Sequence, residues 1–83
     1  MTSHQAQVPP IAAAYFSHRG VDLTSNHPVI RQEYTPGRGW KAVSLHKRVS
    51  ATWIRKLRGQ GVTHVQLTAG GHNADFQCTE LTR

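Results

Sequence analysis

Apolar and polar positions recur along this chain with two periods, near 3.6 in some stretches and two in others, and the switches between them mark the elements. Residues 1–8 carry neither period and read as a flexible N-terminal arm. Pro9 and Pro10 suit the entry of a helix, because the missing N–H costs nothing in a first turn. Ile11, Ala14, Tyr15 and His18 then fall on one face, and Gly20 is a C-terminal stop, so a helix is predicted over 10–19. Residues 21–28 have turn chemistry. Strands are predicted at Val29–Thr35 and Trp40–Leu45, joined by Pro36-Gly37-Arg38-Gly39, where proline presets φ and glycine supplies the positive φ that follows. On the second strand Lys41, Val43 and Leu45 share one face and Trp40, Ala42 and Ser44 the other, so alternation alone does not say which is inward.

Ser50 is a good N-cap for a second helix over 50–59. Trp53, Ile54 and Leu57 form its apolar stripe, Arg55, Lys56 and Arg58 point away, and Gly59 and Gly61 end it. His64–Thr68 and Asp75–Leu81 alternate with period two around a turn. Pairing Ala69 with Ala74 would set Leu67 opposite Phe76 and Val65 opposite Cys78, with Thr68–Asp75, Gln66–Gln77 and His64–Thr79 on the polar side. The order is αββαββ. It predicts an α+β fold, a single domain over 9–83 with a four-stranded antiparallel sheet and two short helices on one face.

Composition makes the core thin. Of 83 residues only 17 are Leu, Ile, Val or Phe, and 8 more apolar positions are alanine. A single core of this size supplies at most about 3–5 kcal/mol, and a homodimer would be one way to add burial. Without an apolar run near 18 residues, no transmembrane span is expected and no membrane partner. The start MTSHQAQVPP lacks a charged region followed by an apolar one, so no secretory signal is expected. A lone cysteine, Cys78, excludes an internal disulfide, and a reducing cytoplasmic setting is the expectation.

Catalytic and metal chemistry find little support. The six histidines, at 4, 18, 27, 46, 64 and 72, show no H-x-H, H-x-x-H or H-x-x-x-H spacing. No metal site and no cofactor are therefore expected. Their protonation would raise the formal charge from +6 to +12, so affinity for a polyanion should grow towards mildly acidic pH. Cys78 falls on the apolar side of its expected strand and reads as packing. Gly70-Gly71 lacks the lysine and following helix of a phosphate loop. A metal-independent ribonuclease, with His46 beside Lys47 and Arg48 or Glu33 across the hairpin from cations, is the least favoured alternative.

Charge gives the strongest functional signal. Ten Lys and Arg face four Asp and Glu, and between Tyr34 and Asn73 there is no acid at all. That stretch holds Arg38, Lys41, Lys47, Arg48, Arg55, Lys56 and Arg58, with Trp40 and Trp53 among them. Cations interleaved with aromatics hold nucleic acid through phosphates and stacked bases. Arg38, Trp40, Lys41, Lys47, Arg48, Arg55, Lys56 and Arg58 are therefore the candidate site, and RNA, DNA or a nucleoprotein complex the expected partner. Trp53, on the apolar stripe, is expected in the core. No helix-turn-helix, zinc-finger, RRM or KH signature is present, so shape and phosphate would be recognised before base identity. The competing expectation is a protein inhibitor or adaptor of the phage or plasmid kind, for example one that blocks a restriction or CRISPR complex by protein contact.

Overall fold

Residues 8–83 are described by a computed structural model, with the side chains of 44–46 excepted. The chain runs α1 (Pro10–His18), β1 (Val29–Thr35), β2 (Gly39–Arg48), α2 (Ala51–Gly59), β3 (His64–Ala69), β4 (His72–Gln77) and a single turn, α3 (Cys78–Leu81). The four strands form one antiparallel sheet in the order β2-β1-β3-β4. Each hairpin thus keeps its sequence neighbour, and the two αββ units meet where β1 pairs with β3. The α+β class and the αββαββ order stand, with α3 added at the end. The arm expected over 1–8 lies outside the described residues except for Val8, which is half-buried against the core.

Both longer helices end by the same device. Gly20 and Gly61 take positive φ, at 81° and 96°. Val21 N–H donates to the Phe16 carbonyl and Val62 N–H to that of Leu57, with Gly20 and Gly61 donating one residue further on, to Ser17 and Arg58. These are Schellman closures, which satisfy the last carbonyls and turn the following valine back onto the helix. At the other end of α2, the Ser50 hydroxyl accepts from Trp53 N–H at 3.1 Å. Ser50→Ala removes that cap and is expected to lower stability by about 1 kcal/mol, read as a shift in the urea midpoint with unchanged slope.

One core cluster gathers Ala12 and Phe16 from α1, Ile54 and Leu57 from α2, and Cys78 and Leu81 from α3. Ile30, Val65, Leu67, Ala69 and Phe76 of the sheet complete it, with Val21, Val49 and Val62 from the connections. The stripe expected on α1 is corrected: Ala12 and Phe16 are buried, while Ile11, Ala14 and His18 are exposed. Ile-Ala-Ala-Ala-Tyr-Phe is apolar almost all round, so spacing cannot choose a side.

The second hairpin is also corrected, in register. Val65 lies opposite Phe76 and Leu67 opposite Ala74, two residues from the expected pairing, and the turn is Gly70-Gly71 alone. Both glycines have positive φ, 56° and 84°, as a two-residue type I′ turn requires. A Cβ added to Gly70 would also meet Val21 at 3.0 Å. The last strand stops at Gln77 instead of running to Leu81. Gln77 and Glu80 form a reciprocal capping box, with Gln77 N–H donating to Glu80 Oε1 at 3.0 Å, and this starts α3. Cys78 and Leu81 then reach the core from a helical turn.

The first hairpin follows expectation at its tip. Arg38 N–H donates to the Thr35 carbonyl, and Gly37 has φ 86°, a turn with Pro36 and Gly37 at its centre. Its far end is irregular. Ile30 pairs with Lys47 but Gln32 with Ala42, so residues 43–46 bulge opposite Arg31. Against β3 it is β1 that carries the extra residue, since Ile30 pairs with Leu67 and Gln32 with Gln66.

Candidate nucleic-acid interface

Strand pairing decides where the predicted site residues go, because partners across a ladder share a face. One face of the sheet carries three rows. Trp40, Tyr34, His64 and Gln77 form the first, Ala42, Gln32, Gln66 and Asp75 the second, and Arg48, Val29, Thr68 and Asn73 the third. None of these twelve residues is buried. The opposite face carries Lys41, Glu33, Val65 and Phe76 in one row and Lys47, Ile30, Leu67 and Ala74 in the next, and it holds the core.

The eight candidate residues therefore divide. Trp40 and Arg48 belong to the uncovered face, with Arg38 in the turn beside Trp40. Lys41 and Lys47 lie on the core side of β2, Lys41 directly across from Glu33. Arg55, Lys56 and Arg58 are exposed on α2, whose Ile54 and Leu57 are buried. All seven cations are exposed.

Two aromatic groups lie among them, and one of these holds cations directly. Trp53 is half-buried at the edge of the core instead of inside it. The Lys47 ammonium sits over its ring at 4.6 Å from the centroid and that of Lys56 at 5.5 Å. This cation–π contact gathers two positive charges on one indole and joins β2 to α2. Trp40 is 44% exposed, and its ring centroid is 5.4 Å from that of Tyr34. Tyr34 in turn meets the His64 ring edge-on at 5.8 Å, and Thr63 Oγ1 lies 2.9 Å from His64 Nδ1. Arg58 is partly committed, donating to Thr82 Oγ1 at 3.2 Å.

Tyr34 and His64 were not among the residues singled out by charge. A signal for Tyr34 existed: it alternates with Gln32 and so faces away from Glu33. His64 joins it only through the β1–β3 pairing, which no local pattern reveals.

Nucleophilic chemistry has no foothold at the cysteine. Cys78 is 1% exposed. Burial pushes its thiol pKa up, with Arg58 pulling it down and Glu33 raising it further, so the reactive thiolate is disfavoured. Among the described residues no three His, Cys, Asp or Glu side chains cluster closely enough to hold a metal ion. The side chain of His46 lies outside the described residues. Among the described residues no helix is long and apolar enough to cross a membrane. A separate open groove lies between α1 and β4, lined by Ile11, Ala14, Tyr15, His18, Arg19 and Phe76. The Arg19 guanidinium lies 3.6 Å from the centroid of the Tyr15 ring there.

No protein-family model, curated protein or solved structure matches this chain.

Proposed function

We propose that this protein is a small, non-catalytic nucleic-acid-binding module that works in a reducing, cytoplasmic setting. The observation that carries it is the exposure of all seven cations between Arg38 and Arg58, in a stretch from Tyr34 to Asn73 that contains no acid. Exposed arginine and lysine without acidic neighbours in sequence make a field that concentrates polyanions and releases their counterions on contact. The contacts of Lys47 and Lys56 with the Trp53 ring support the same reading, since they bring two exposed ammonium groups, one from β2 and one from α2, to a single indole.

Affinity capture from a lysate, with and without nuclease, tests this reading. Nucleic acid is expected to co-purify, and its bound proteins should be lost after nuclease treatment. A protein partner retained through nuclease and through high salt would favour the inhibitor or adaptor reading instead.

A further inference from the structure

The cations explain attraction to phosphate but leave the uncovered sheet face unexplained. We propose that this face is a stacking platform for single-stranded nucleic acid, with unpaired bases lying on Trp40 and Tyr34. The inference rests on the nucleic-acid reading above and adds to it the strandedness of the ligand and the surface that selects it.

Three features of the face converge. It is aromatic along one row, Trp40–Tyr34–His64, yet none of its twelve residues is buried and six of them are exposed. Large aromatics on a sheet are ordinarily buried for the area they remove from water. A Trp left 44% exposed beside a half-buried Tyr keeps that area available to a ligand. Secondly, the cations of this face flank the aromatic row instead of filling it. Arg38 stands in the turn next to Trp40, and Arg48 stands two rows away on the same edge strand. A phosphate chain can follow β2 between them while its bases turn inward across β1. Thirdly, the acid is on the other side: Asp75, on β4, is the one carboxylate in the three rows. It steers phosphates away from β4 and towards β2.

The polar groups sort themselves similarly. Gln77 caps α3, and Thr68 bonds Asn73. Gln32 and Gln66, side by side in the second row, remain the amides best placed to meet base edges.

Strandedness follows from access. The rings of Trp40 and Tyr34 rise from a sheet surface and can touch only base faces that are not already stacked in a duplex. RRM domains, whose sequence signature this chain lacks, stack two or three splayed bases on the aromatics of a four-stranded sheet. Strands about 4.8 Å apart put Trp40 and His64 roughly 10 Å from each other, room for that number.

The test measures binding of fluorescently labelled 12-mers of RNA and of DNA, each single-stranded and as a duplex, to wild type, Trp40→Ala, Trp40→Phe and Arg55→Ala/Lys56→Ala. Removing one stacking ring costs about 1–3 kcal/mol per base. Trp40→Ala is therefore expected to weaken single-strand binding about 5- to 150-fold, leave duplex binding within about 2-fold, and be largely rescued by Trp40→Phe. The double α2 variant should weaken both forms alike. Comparison of the RNA and DNA arms then assigns the sugar. Circular dichroism confirms that each variant is folded, and Trp40→Phe provides the second comparison should Trp40→Ala prove unstable. A wild type that binds single strands with steep salt dependence while Trp40→Ala and Trp40→Phe bind equally well overturns the stacking platform and leaves the phosphate reading standing. A wild type that binds neither form at low salt overturns both.

Discussion

Replacing Leu67 by alanine is expected to unfold this protein, or to leave it with almost no stability. Leu67 is completely buried in β3, an interior strand, with Ile30 of β1 on one side and Ala74 of β4 on the other. Truncating a leucine in such a place removes its transfer free energy and opens a cavity, at about 2–5 kcal/mol. A core drawn from one small cluster supplies roughly 3–5 kcal/mol altogether, so the loss rivals the whole. Phe76→Ala should behave alike: it removes the ring that faces Val65 across the ladder and the edge of Tyr15 at 5.6 Å. Far-UV circular dichroism against urea would show a lost or strongly shifted transition for either variant. A Leu67→Ala protein with a midpoint close to wild type would mean that this core is not what holds the sheet.

The opposite outcome is expected for Arg55, Lys56 and Arg58. Their triple replacement by alanine should leave a folded protein that binds nucleic acid poorly. All three are exposed on α2, alanine is the best helix former, and Arg58 forfeits only a surface hydrogen bond to Thr82. Each phosphate contact contributes about 0.7–0.9 to the slope of log K against log salt. Three lost contacts should weaken binding about 100- to 500-fold at 0.1 M salt. The unfolded Leu67→Ala, in β3, and the folded triple variant, on α2, thus separate stability from function in one domain. Normal binding by the triple variant would move the phosphate contacts to Arg38, Arg48 and the uncovered face.

What was legible in the chain, and what was not, divides along a physical line. β1, the Pro36-Gly37 turn and the Ser50-capped α2 are fixed by local chemistry: alternation, a φ preset by proline, a hydroxyl that meets an N–H three residues on. The register of the second hairpin is not visible to alternation, because a slip of two residues keeps Val65, Leu67 and Phe76 on the same face. Turn chemistry decided it, and two consecutive glycines favour the two-residue turn. Cys78 fits a strand by alternation and a helix by its spacing from Leu81; the Gln77–Glu80 capping pair settles the choice. On the functional side, charge picked out the cations but treated them as one patch. Pairing splits them between the two faces of β2, since neighbours such as Lys47 and Arg48 point in opposite directions. Tyr34 and His64 are 30 positions apart and meet only because β1 lies beside β3.

Equilibrium titration of a labelled single-stranded oligonucleotide across a series of salt concentrations probes the nucleic-acid reading most directly, with wild type and the Arg55/Lys56/Arg58 triple variant run side by side. Engagement of five to seven phosphates by the exposed cations predicts a wild-type slope of roughly −3.5 to −5 in log K against log salt, flattened by about 2 in the triple variant. A wild-type slope near zero, or no binding even at low salt, would contradict it and mark the basic field of this protein as serving something other than nucleic acid.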